Sequence, residues 1–194
     1  MNGHQRASRL RAAHLLTNAL NPFFIFTALY ALMAFSEASA LWATLYVGVE
    51  LAAAAFVAGC VLLLRLRRRV GDFWISARAE RPAPALVLLS VFAALLGALA
   101  LLGAPGILFR TTLSMGLASA AVATMTLAWK ASAHSAVAGH AAVVGLLVLG
   151  SPGLLFALFL LLVLWSRIAS GAHTLPQALA GAGVGAVFAL LVLA

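Results

Sequence analysis

The chain has 194 residues, 65% of them hydrophobic and 8% charged, and a mean hydropathy of +1.13. So apolar a composition excludes a soluble domain with a water-facing surface of ordinary polarity. Twelve basic against four acidic residues leave a net charge of +8, and because most of the basic residues lie in two short stretches, the excess points to lipid headgroups or phosphate and not to nucleic acid.

The amino-terminal stretch MNGHQRASRLRAAHLL is basic and runs into apolar sequence from Leu15 to Phe35, with another hydrophobic segment following at once. This pattern predicts an uncleaved first span and not a signal peptide. The short link SEASA leads to a second segment, Leu41 to Leu64; each segment is about the twenty residues a helix needs to cross a bilayer, so 1–64 is expected to form a helical hairpin. Cys60, the single cysteine, reads as a packing residue and excludes an intramolecular disulfide. Glu50 stands mid-span, where an ionisable group is costly, and both a structural and a functional reading of it stay open.

The one substantial polar segment, RLRRRVGDFWISARAERP from Arg65 to Pro82, holds six of the twelve basic residues. Arg65, Arg67, Arg68 and Arg69 read as a topology signal and a headgroup-binding cluster, with Asp72 and Glu80 as ion-pair partners of the arginines. Further apolar segments follow at Ala85 to Leu102 and Ile107 to Trp129, joined by the turn-forming GAPG, then at Ala133 to Leu149 and Leu154 to Trp165, joined by GSPG. SRIASGAHTLPQ leads into a last segment, Ala178 to Ala194, whose GAGVGA run suits close helix packing. The fold class is therefore all-α, a polytopic transmembrane helix bundle of about six or seven spans, in one membrane-embedded domain over 1–194: a hairpin (1–64), a basic loop (65–82) and a helical core (83–194).

If every turn reverses direction, the amino terminus, the 65–82 loop and the patches at Lys130 and Arg167 fall on one face, which the positive-inside rule makes cytoplasmic, and Arg110 is the one basic residue near the other. On that face Arg78, Arg81, Lys130, Arg167, His134 and His173 gather beside Ser132 and Ser166. Cations and imidazoles in this number suit a phosphate: phosphoryl transfer needs positive charge on the equatorial oxygens, an in-line nucleophile and an acid for the leaving oxygen. Thr174-x-x-Gln177 has capping-box spacing, with Pro176 tolerated in the first turn, and Ser132 is a plausible N-cap, so two helix starts are expected to aim at one pocket. His140 lies on a different helical face from His134, and His14 belongs to the basic amino terminus; both read as structural.

These residues carry a resemblance. Ser166, Arg167, five residues, His173, three residues and Gln177 resemble the third signature, SRxxxxxHxxxD, of the type 2 phosphatidic acid phosphatases, which share a helical core with the vanadium haloperoxidases. Ala131-Ser132-Ala133-His134 is a relaxed form of the second signature, PSGH. Arg81-Pro82 keeps the end of the first, KxxxxxxRP, although Trp74 occupies its lysine position, leaving Arg78 or Arg69 to replace that cation; DFWISARAERP is similar to a variant in small bacterial members. The three occur in the family's order between Arg69 and Gln177.

The resemblance implies that His173 is the nucleophile forming a phosphohistidine, that His134 protonates the leaving group and then activates water, and that Gln177 stands where an aspartate orients the nucleophile. It implies phosphate binding by Arg78, Arg81, Lys130, Ser132, the backbone of Ala133, Ser166 and Arg167 and a catalytic core in 83–194, with no cofactor; no metal site is expected, because the histidines lack carboxylate or cysteine partners at ligand spacing. The expected function is an integral inner-membrane phosphatase acting on a phosphomonoester or diphosphate of a lipid: phosphatidic acid, phosphatidylglycerol phosphate or a polyprenyl phosphate. A lipid phosphotransferase, or a non-catalytic transporter or scaffold, is the alternative, and homo-oligomerisation stays open. The family's usual site lies outside the cytoplasm, whereas the arginine cluster argues for inside.

Overall fold

A computed structural model describes residues 3–75 and 77–194, with the side chains of residues 3, 4 and 78 outside the description. Among the described residues eight α-helices follow one another: α1 (Gly3–Ala19), α2 (Pro22–Glu37), α3 (Ala40–Leu66), α4 (Pro82–Leu101), α5 (Gly106–Ala128), α6 (Ala133–Val144, extended to Leu149 by a π-helical turn), α7 (Leu154–Ala169) and α8 (Leu175–Leu193). Five spans, Ala40–Leu66, Pro82–Leu101, Gly106–Ala128, Ser151–Ala169 and Leu175–Leu193, are long and apolar enough to cross a membrane. The chain is thus an all-α bundle with the architecture of a polytopic membrane protein.

The first segment departs from the expected continuous span. The chain bends by 45° between α1 and α2, because Pro22 has no N–H for a helix interior and disfavours helical backbone at Asn21. Asn21 becomes an N-cap instead, its Oδ1 accepting from the Phe24 N–H at 3.0 Å. Counting this bent pair as one gives six spans; Ala133–Leu149 is apolar but shorter than the others.

Packing centres on α6, which touches α2, α5, α7 and α8, most extensively α8. Small residues make that contact possible: a methyl group added at Gly139 would strike the carbonyl of Ala182, one at Gly185 the carbonyl of Ala136, and one at Gly181 the carbonyl of Ser132. The two backbones therefore touch, the close approach that van der Waals packing favours between membrane helices. By contrast, α3 packs chiefly against α2 and α4 and leaves Leu41, Leu51, Phe56 and Leu62 exposed to the bilayer.

Hydrogen bonds at one end of the bundle tie distant parts of the sequence together. Thr17 Oγ1 donates to Ser166 Oγ at 3.3 Å, Trp74 Nε1 to Asn18 Oδ1 at 3.3 Å, Arg81 Nη1 to the Ala131 carbonyl at 3.3 Å, and the Ser132 N–H to the Gln177 carbonyl at 3.3 Å. The ends of α1 and α7, the starts of α4, α6 and α8, and the 67–81 loop meet here.

Candidate active site

α5 ends at Trp129, and Ser132 caps α6. The buried Ser132 hydroxyl accepts from the Ser135 N–H at 3.3 Å and the Ser135 hydroxyl at 2.9 Å, so only its own hydrogen is free to donate. Ala133 opens the helix, where an N–H lacks an intrahelical acceptor. His134 follows, 7% exposed, with Nε2 unpartnered.

Across from it, the link between α7 and α8 turns at Gly171, whose φ of +72° suits glycine. The His173 N–H then bonds back to the Arg167 carbonyl at 3.1 Å. Its ring is 6% exposed and Nδ1 has no partner. Burial first, then the charges of Arg167, Lys130 and Arg81, push the His173 imidazole down to about 4, against a smaller opposing effect of the Lys130 backbone, so the ring is neutral at pH 7.

The cations surround these rings. Arg167, 8% exposed in the last turn of α7, has its Nε unpartnered. Arg81 donates through Nε to the Ile75 carbonyl at 3.0 Å, and burial lowers its guanidinium from the ordinary arginine value. Lys130 is half-buried; burial and the nearby Arg81 and Arg167 lower its ammonium, and Asp72 opposes them. Arg167, His173 and Arg81 all act on the charge of His134. Thus His134, His173, Arg81, Lys130 and Arg167 come within electrostatic range as one cationic cluster, where α5 and α7 end and α4, α6 and α8 begin.

Three expected site residues stand elsewhere or differently. Ser166 donates its hydroxyl to the Val163 carbonyl at 2.9 Å and accepts from Thr17, so it joins α7 to α1 and has no hydrogen left for a phosphate. Gln177 completes the capping box of α8, its Oε1 accepting from the Thr174 N–H at 3.1 Å; it does not reach His173, whose Nδ1 stays without the partner an aspartate supplies in the resembled signature. The Arg78 side chain lies outside the described residues, though its backbone forms the 3-10 turn Arg78–Glu80. The two loop acids hold backbone as well: Glu80 accepts from the Gly71 N–H at 2.9 Å and Asp72 from the Trp74 N–H at 2.9 Å, while the charge of Asp72 also acts on Arg81, Lys130 and Arg167.

A comparison with protein-family models, curated proteins and solved structures found no match to the chain. What the pocket does must therefore be read from its residues.

Two contributors were not singled out from sequence. The Trp74 ring meets the His134 ring edge to face, with centroids 4.9 Å apart at 69°, and fixes the imidazole from the loop side; its position in place of the signature lysine was the available signal. Ile75 adopts φ +50°, a left-handed backbone that costs a β-branched residue about 1–2 kcal/mol, and its carbonyl receives Arg81. No sequence pattern announces that strain.

Proposed function

We propose that the protein is a membrane phosphatase that removes a phosphoryl group from a lipid phosphomonoester or diphosphate. The observation that carries this reading is the juxtaposition of two buried imidazoles, each with an unpartnered ring nitrogen, inside a set of three cations at the membrane-helix ends. A neutral His173 has the lone pair to attack phosphorus as the bond to the leaving oxygen breaks; His134, buried among the cations, takes up a proton from the medium as the entering phosphate anion offsets their charge, gives it to that oxygen and then takes one from the water that cleaves the P–N bond. Arg81, Lys130 and Arg167 balance the charge on the equatorial oxygens throughout.

Location supports the lipid. A pocket at helix ends admits a phosphate headgroup while its tail stays in the bilayer, so phosphatidic acid, phosphatidylglycerol phosphate and polyprenyl phosphates are the substrate classes to assay. The concentration of basic residues at this end favours the cytoplasmic side of the membrane for the reaction.

The experiment is phosphate release from those lipids by purified protein in detergent, with His173→Ala and His134→Ala alongside. The expected result is a loss of about a thousandfold or more in each variant and inhibition of the wild type by vanadate. Unchanged release in His173→Ala would sink the proposal. Adding a lipid alcohol tests the phosphotransferase alternative, which predicts a new phosphoester in place of free phosphate.

A further inference from the structure

Glu50 takes no part in the pocket at the basic end. It lies on α3, 3% exposed, and both carboxyl oxygens accept from the Thr27 hydroxyl on α2, at 3.0 and 2.9 Å. One turn along α2, the Tyr30 hydroxyl is buried, has no hydrogen-bond partner and lies close enough to Glu50 for their charges to interact. Tyr46, one turn before Glu50 on α3, is also within range of Tyr30, but its hydroxyl is directed to the Leu102 carbonyl at 3.5 Å. α4, the other main neighbour of α3, carries no titratable side chain. Among the described residues no cation acts on Glu50, which is set by burial first and by the Thr27 hydroxyl against it.

An ionised carboxylate here would sit between apolar helices with one hydroxyl as its whole solvation, which membrane proteins avoid. A proton removes the charge and gives the carboxyl an O–H, and the Thr27 hydroxyl already in contact with both carboxyl oxygens can accept as well as donate. A metal cation fits less well: hard cations take about six or more oxygens, and Glu50, Thr27 and Tyr30 together offer four.

We propose that Glu50, Thr27 and Tyr30 form an intramembrane proton-binding site, in which the Glu50 carboxyl holds a proton in the resting bundle and exchanges it with the medium.

The test uses the full-length protein in detergent and in liposomes, treated with dicyclohexylcarbodiimide, an apolar reagent that adds to a carboxyl group only when it is protonated, and read by peptide mass spectrometry. Glu50 should be labelled at neutral pH, lose that labelling as the medium becomes strongly alkaline, and carry no label in Glu50→Gln. Thr27→Val removes the single donor to the ionised form, so its labelling should persist to a higher pH than in the wild type. Glu50→Gln, a neutral isostere of the protonated acid, should unfold at the wild-type temperature. The inference fails if Glu50 stays unlabelled at every pH, if Glu50→Gln does not fold, or if sodium chloride protects Glu50 where choline chloride at equal ionic strength does not, the last outcome making it a metal-cation site. None of these readouts depends on phosphate release, so the two proposals stand or fall separately.

Discussion

His173 is the residue on which pH acts most directly. Burial and three cations hold its imidazole at about 4 against an ordinary value of 6.5, so the neutral form persists into mild acid. In the proposed reaction the acid limb of kcat/KM should lie near pH 4 in the wild type and move upward in Lys130→Met, because removing a neighbouring cation makes protonation easier. The same depression affects folding with a definite sign. The unfolded chain takes up the proton more readily, so the contribution of His173 to stability is intact above pH 6.5 and is lost as the pH falls through the window down to about 4. Trp74 acts through contact with His134. Trp74→Ala should lower kcat about tenfold by freeing the ring, whereas Trp74→Phe should keep most of it, and parallel changes in the two variants would show that the ring contact does not matter.

Among the elements, the interface between α6 and α8 decides whether the two imidazoles face each other. Gly181→Val should lower the thermal unfolding midpoint in detergent, at a cost of about 1–3 kcal/mol, and should reduce activity in the fraction that remains folded, because the new side chain pushes on the Ser132 carbonyl. Gly183 has open space around its Cα, so Gly183→Ala should be neutral or stabilise α8 by up to about 1 kcal/mol. Much of this level was legible in the sequence: the apolar segments after Leu41, the Gly-Pro turns, the Ser132 cap, the Thr174 capping box and the small-residue face of α8 all follow from local chemistry, which determines helices and their ends. Asn21-Pro22 was equally local, yet hydropathy on both sides hid the break. The side-chain assignment of Ser166 was not legible, because its hydroxyl has several partners in reach and packing against α1 selects among them, and the capping role of Gln177 was legible where its separation from His173 was not. The His134 contact with Trp74 depends on how the 67–81 loop folds over α6, and no periodicity encodes that.

The whole molecule is strongly polarised. The amino-terminal arginines, the Arg65–Arg69 cluster and the pocket cations share one end, and α8 runs away from it. With the shorter α6 crossing as a seventh span, a reporter fused at Met1 should read cytoplasmic and one fused after Ala194 should read the opposite compartment; the reverse pattern would place the site outside the cell. The glycine contacts between α6 and α8 also bear on how freely such a sequence can drift. Where main chain rests on main chain, the distance between the two histidine rings is set by the absence of side chains at a few positions, while the lipid-facing surface is free to exchange one oily residue for another. Divergence in such a protein should run fast over most of its length and stall at a sparse register of Gly and His, a spacing that overall likeness between sequences is poorly suited to detect.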